Sequence, residues 1–270
     1  MGNTLLSYPD YTVDNSTALE GGSWSSSLPL ANLQNNLIRK VAESTDALAA
    51  STQWVETFSI PRDVRVIGIL GHNITLAGTI RVRGYSDAGL TTLVCDTGIQ
   101  YAWPQTFSAV DVAVWPNNWI WPLPAVVTAK YWEIEIVDTA NPAGVIRIGR
   151  CWLGPAFEPL YGVTYGAELG YESFSTTTRS LGGVPWHNRK TPLRGGTISF
   201  PALTKDEEDI VIIMQKTLDT TGEILFVLSK TAPVQKMLLR AFPCTPRSLS
   251  KIRMANLNAS EYPMDLLENA

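Results

Sequence analysis

The 270-residue sequence predicts an all-β protein built as two β-sandwich domains. Three observations predict it. Short apolar segments alternate with turn-forming residues through the first half, with little helical periodicity among them. A Pro- and Gly-rich stretch at 154–162, GPAFEPLYG, interrupts helix and strand alike and divides the chain into 1–157 and 158–270. The second part carries one strong helix signal between strand-like runs, which makes it a β-domain with one short helix.

The elements follow in order. Leu30, Leu33, Leu37, Ile38 and Val41 recur at helical spacing after Pro29, giving either a helix or a looped segment tucked across the sandwich. Residues 54–60 alternate imperfectly as a strand closed by Pro61, and 64–70 is an apolar, β-branched run suited to a strand buried on both faces. Residues 79–85 place Ile80, Val82 and Gly84 on one side and Arg81, Arg83 and Tyr85 on the other. SDAG at 86–89 is turn chemistry. In 131–137, Trp132, Ile134 and Ile136 face inward and Glu133 and Glu135 outward; a turn at 138–144 then returns the chain as a strand at 145–153.

Beyond the boundary, 182–185 reads as a loop, and Gly195-Gly196 breaks the chain before a strand at 197–200. Thr204 with Glu207 forms a capping box, and the acids at 206–209 sit where a helix dipole favours negative charge. Ile210, Ile213, Met214 and Leu218 are expected as the buried stripe of that helix. Residues 220–222 end it, and 223–228 resumes as a strand.

Composition narrows the function. Hydrophobic residues make up 45% and charged residues 17%, below the usual share of about 25%. So thin a charge leaves surface for contact with other protein. A net charge of -4 argues against nucleic-acid binding, which needs a basic face. Cys95, Cys151 and Cys244 are too far apart for a CxxC clip or a disulfide framework and read as free thiols from a reducing compartment. No secretion leader opens the chain, Leu6 stands where a myristoylation motif wants Ser or Thr, and no apolar run approaches a membrane span. Without a leader, the triplets headed by Asn15, Asn73 and Asn258 are taken as coincidental glycosylation matches.

Catalysis has little to stand on, and no catalytic residue or cofactor is assigned. His72 and His187 are the sole histidines, and no nucleophile elbow, HExxH, phosphate loop or dinucleotide turn accompanies them. His72 reads as a turn histidine bonded to backbone, and His187 as a loop residue. A helix spreads consecutive residues around its axis, so the acids at 206–209 cannot converge on one metal. Asp87, Asp96, Asp111 and Asp138 are loop carboxylates of the kind that hold calcium, but no D-x-D-x-D run assembles them, and no metal site is assigned.

The most distinctive stretch is 101–123, YAWPQTFSAVDVAVWPNNWIWPL. Three readings stand for it: core packing first, a protein interface second, a carbohydrate platform third. Trp115, Asn117, Asn118, Trp119 and Trp121 are the candidate contact residues for a glycan or a partner. Indole faces suit the apolar face of a pyranose, and aromatics dominate protein–protein contacts.

Trp24, LPLANL at 28–33, DVRVIG at 63–68 with GHN at 71–73, RVRGYSD at 81–87, KYWEIEI at 130–136, and the strand at 146–153 before Pro155 together resemble a known type. They are similar to galactose-binding-like (discoidin-type) jelly-roll domains of tailed-phage structural proteins, over roughly residues 20–157. RSLGG at 179–183, LTKDE at 203–207 and ILF at 224–226 resemble, in that order, the β-sandwich portion of phage distal-tail or minor-tail proteins. The resemblance implies a non-enzymatic virion protein of the tail tip or baseplate, assembled in the host cytoplasm. Its partners would be copies of itself, in a ring or trimer, and other tail proteins, with neither nucleic acid nor membrane insertion. The alternative is a carbohydrate-binding module for host-surface attachment. The family's sugar-binding residues find no matching motif here.

Overall fold

The computed structural model describes residues 3–256 and 259–269; the start at Met1-Gly2 and Asn258, which heads the third triplet, fall outside them. The class is all-β, and the chain forms two compact units. One comprises Leu6–Phe157 with Ser229–Ala241, and the other Met1–Leu5, Glu158–Leu228 and Phe242–Ala270. The division is therefore not a single cut, since a segment near residue 235 returns to the first unit.

In the first, jelly-roll unit the strands are β1 (Leu5–Ser7), β2 (Ala18–Glu20), β3 (Ala42–Glu43), β4 (Gln53–Leu70), β5 (Thr79–Tyr85), β6 (Leu93–Asp96) and β7 (Gln100–Tyr101). After a six-residue helix α1 (Ala109–Val114) come β8 (Asn118–Val137), β9 (Arg147–Ile148), β10 (Arg150–Gly154) and β11 (Ala156–Phe157). The main sheet runs β10-β4-β8-β5-β6, with β2 on β4 and β7 on β5; β3 pairs with β9, and Leu6 of β1 with Phe157 of β11.

Two strands are longer than the sequence suggests. The runs at 54–60 and 64–70 are one strand, β4, because Pro61 falls inside a register shift between Thr57 and Arg62 where no ladder partner needs its missing N–H. Likewise β8 starts at Asn118 and takes in the last six residues of the Trp-rich stretch, with Trp119 and Trp121. Between Val64 and Val66 the register slips again, so residues 123–126 of β8 stand opposite Arg65 alone. The two halves of this ladder share one core: Trp54 and Phe58, Ile67 and Ile69, Trp119 and Leu123, Trp132 and Ile134 belong to a single buried cluster. Each such side chain contributes about 1.5–3 kcal/mol by leaving water.

Two other expectations change. The helical spacing at 30–41 yields a single 3-10 turn, Leu30–Gln34, and then a loop that leaves Leu37 exposed. Side chains end the helix: Asn35 Oδ1 accepts from Leu37 N at 2.9 Å, and Asn32 Nδ2 donates to Val41 O at 2.8 Å. The strand expected at 145–153 breaks into β9 and β10 at Gly149, where a Cβ would lie 2.3 Å from Ile38 O.

The unit also buries charge. Arg150 donates from Nε and Nη2 to Asp10 Oδ2 at 3.0 and 2.9 Å. Glu56, wholly buried, accepts from Thr12 Oγ1 and Trp54 Nε1. Cys151 and Cys244 are buried and Cys95 half-buried, all three as free thiols.

The carboxy-terminal unit contains β12 (Glu168–Glu172), β13 (Thr176–Arg179), β14 (Pro185–Asn188), β15 (Leu193–Leu203), α2 (Lys205–Leu218) and β16 (Ile224–Val227). They are followed by β17 (Ala241–Pro246), β18 (Arg253–Asn256) and β19 (Ala259–Glu268). Its sheet runs β16-β17-β19-β15-β12 with β18 on β19, while β13 and β14 form a hairpin of their own. Helix α2 packs against β15 and β19 and begins at the expected box: Thr204 N donates to Glu207 Oε2 at 2.7 Å, and Glu207 N to Thr204 Oγ1 at 3.3 Å. The buried line of α2 is Glu208, Val211, Met214 and Leu218, whereas Ile210 and Ile213 are exposed. Buried Ser260 donates to Glu208 Oε2 at 2.8 Å, which turns the helix from the orientation that apolar residues alone suggest. A third helix, α3 (Val234–Arg240), lies in the returning segment and meets β8.

Candidate functional site

The Trp-rich stretch divides between core and surface. Within β8, Trp119 pairs with Ile69 and Trp121 with Ile67, so both indoles point to the same side of the sheet. Their rings stack, 5.8 Å between centroids and 6° from parallel. Trp119 is 2% exposed, and Trp121 half-buried at the margin of the same cluster. Ile120, on the opposite side, lines a small enclosed space with Val234, Met237 and Leu238 of α3.

Asn117 and Asn118 close the adjoining turn. Asn118 Oδ1 accepts from Gly71 N at 3.0 Å. Asn117 Nδ2 donates to His72 O at 2.9 Å, and its backbone carbonyl accepts from His72 N at 3.1 Å. Gly71 takes a left-handed φ of +66°, which suits a residue without a side chain.

From that turn an aromatic series runs outward. His72 meets Trp103 edge to face, Trp103 lies 6.3 Å from Phe107, and Phe107 lies 4.8 Å from Trp115. Trp103 is buried and donates through Nε1 to Ile74 O at 2.8 Å, whereas Phe107 and Trp115 are half-buried. Beside them stands α1, capped by reciprocal Ser108 and Asp111 bonds, with Val110 and Val114 in solvent. Of the five candidate residues, Trp119 and Asn118 are buried, Asn117 is tied to His72, and Trp115 and Trp121 are half-buried.

The titratable candidates are occupied in the fold. His72 is buried, accepts at Nδ1 from Ile74 N at 3.3 Å, and loses its proton affinity to desolvation, its pKa falling to about 3. His187 is exposed on β14 and bonds Thr177. Asp138 accepts from Thr75 N, Thr75 Oγ1 and Asn141 Nδ2. Asp87 binds the backbone of Thr91 and Thr92, which lowers its pKa to about 2; Asp96 pairs with Arg81, and Asp111 caps α1. Among the described residues no group of acids, histidines and cysteines gathers as metal ligands. Asn73 is likewise engaged, donating to Val145 O and accepting from Arg147 N, while Asn15 is exposed.

A second surface went unread in the sequence. Residues 173–192 are exposed without exception, and β13 and β14 within them pair only with each other. The strands meet at a turn where Ser180 N donates to Val184 O at 3.0 Å and Gly183 adopts a φ of +79°. Leu181, Val184 and Trp186, the last 69% exposed, crowd this tip. Arg179, Arg189 and Lys190 supply positive charge, and no acid occurs from 173 to 192. The available signal was the Thr176-Thr177-Thr178 run facing a second polar-aromatic run across Gly182-Gly183, a hairpin pattern. Helix α2 presents Ile210 (47% exposed) and Ile213 (64% exposed) on one stripe with exposed Asp206 and Asp209.

No family model matches the sequence, and no curated protein matches it. Solved structures do. CpGH89CBM32-6 produced by Clostridium perfringens is similar at 12% identity and TM-score 0.39, over 56% of this chain and 99% of that one. The family 32 CBM from C. perfringens NanJ, in complex with galactose, is similar at 14% identity and TM-score 0.39, over 56% and 98%. A mutant of the lectin binding domain of Lectinolysin, complexed with Lewis b, is similar at 9% identity and TM-score 0.38, over 55% and 97%.

Proposed function

We propose that this is a non-enzymatic binding and assembly protein that works at the tail tip or baseplate of a tailed bacteriophage. One observation supports the assembly part of the reading: the hairpin at 173–192 is wholly exposed yet bears Phe174, Leu181, Val184 and Trp186. Exposed apolar surface of this kind marks a contact with other protein. His72, Asp138, Asp96 and Asp111 are each engaged in bonds within the fold. The test is mass spectrometry of purified particles together with the solution mass of the full chain. The protein is expected in the particles, and a strictly monomeric chain absent from them rejects the reading.

A second reading, glycan attachment by the jelly-roll unit, is favoured by the half-exposed Phe107–Trp115 pair beside exposed Asn117. Such a rim offers an indole face for a sugar ring and an amide for a hydroxyl. Titration of the full chain with galactose and with Lewis b oligosaccharide tests it. Binding abolished by Trp115→Ala with an unchanged melting temperature supports this reading, and no heat with either sugar removes its two first ligands.

A further inference from the structure

We infer that the β13–β14 hairpin of one copy seats on the outer face of α2 of a second copy, joining the chains head to tail. This rests on the assembly reading above and names the partner. The chain carries both halves of a complementary pair, and both are exposed. The hairpin supplies Leu181, Val184 and Trp186 at its tip, with Arg179 and Lys190 behind them. Helix α2 supplies Ile210 and Ile213, which the Glu208–Ser260 bond turns toward solvent, with Asp206 and Asp209 one turn away on the same stripe. Apolar meets apolar and the basic arm meets the acidic first turn, so attraction at long range and burial at contact favour the same pairing. The two patches differ, so the contact is heterologous: each copy has one free arm and one free helix, and repetition gives a ring where the rotation closes.

The experiment is light scattering and sedimentation of the full chain with Trp186→Asp on the arm and Ile213→Asp on the helix. The wild type is expected above monomer mass, and each variant alone at monomer mass. An equimolar mixture of the two variants is expected to form dimers and nothing larger, because one intact arm still meets one intact helix. Both positions are solvent-exposed, and an unchanged melting temperature verifies folding. If either variant misfolds, charge reversal decides: Asp206→Lys with Asp209→Lys should weaken assembly at least tenfold, and Arg179→Glu with Lys190→Glu in the partner should restore it. A monomeric wild type overturns the inference, as does either variant assembling normally, a mixture that stays monomeric, or a failed charge rescue. A monomer still found in purified particles overturns this contact alone and leaves the assembly reading standing.

Discussion

Glu56 accepts the Thr12 hydroxyl at 2.8 Å inside the jelly-roll core, with Trp54 Nε1 on its other oxygen at 3.1 Å. Nearby Arg150 is engaged by Asp10, which adds negative charge, and the Cys151 thiol is pushed well up by burial. Desolvation therefore dominates and raises the pKa of Glu56 from 4.5 to about 7.

The first prediction follows from that rise. An acid whose folded pKa lies above its unfolded one takes up a proton on folding. Its penalty is absent below about pH 4.5, grows as pH climbs toward 7, and stays at its full value above, about 3 kcal/mol in all. Glu56→Gln removes the charge and should raise the melting temperature at pH 8 while leaving it nearly unchanged at pH 4. Melting curves of the two proteins that run parallel from pH 4 to 8 would disprove this account.

The Asn118–Gly71 bond yields a second. Asn118→Ala leaves a backbone N–H without its acceptor and should cost about 1–3 kcal/mol in urea unfolding. Asn117→Ala, whose side chain is exposed, should cost less than half as much. Equal losses would mean that the turn is held by something other than these amides.

A third concerns the indoles. Trp119→Ala opens a cavity in the shared core and should cost about 3–5 kcal/mol, a melting shift on the order of 10 °C. Trp115→Ala, half-buried against Phe107, should shift the transition by no more than half that. Calorimetry showing the reverse order would refute the burial assignment.

The fourth concerns Asp10. Asp10→Ala takes from the buried Arg150 guanidinium the carboxylate that balances its charge and should cost about 3–5 kcal/mol. The double change Asp10→Leu with Arg150→Met removes both charges and should recover most of that loss. A double variant no more stable than Asp10→Ala would show that the pair itself, rather than the unbalanced charge, sets the cost.

The sequence made the strands legible where one face is buried. The alternation of Ile80 and Val82, and of Trp132, Ile134 and Ile136, marks β5 and the end of β8 because a pleat repeats every two residues. Pro61 concealed the length of β4, since a proline ends a strand in local terms and is tolerated at a bulge that only the partner strand defines. At 30–41 the helical spacing misled because Asn32 and Asn35 offer the backbone other partners. The rotation of α2 depended on Ser260, 52 residues away from Glu208, which no local pattern contains. At the candidate site, the aromatic richness of 101–123 was plain, but which ring faces solvent is decided by the pairing of β8 with β4.

The three cysteines have a practical consequence. Cys151 and Cys244 are sealed in the two units and burial raises both thiols; Cys95, half-buried on β6 at the sheet's edge, is raised by burial too, with Asp96 adding to it. Of the three sulfurs, only that of Cys95 belongs to a partly exposed residue. A maleimide dye placed there reports on the jelly-roll unit without any engineered change, and labelling beyond one equivalent becomes a direct gauge of unfolding.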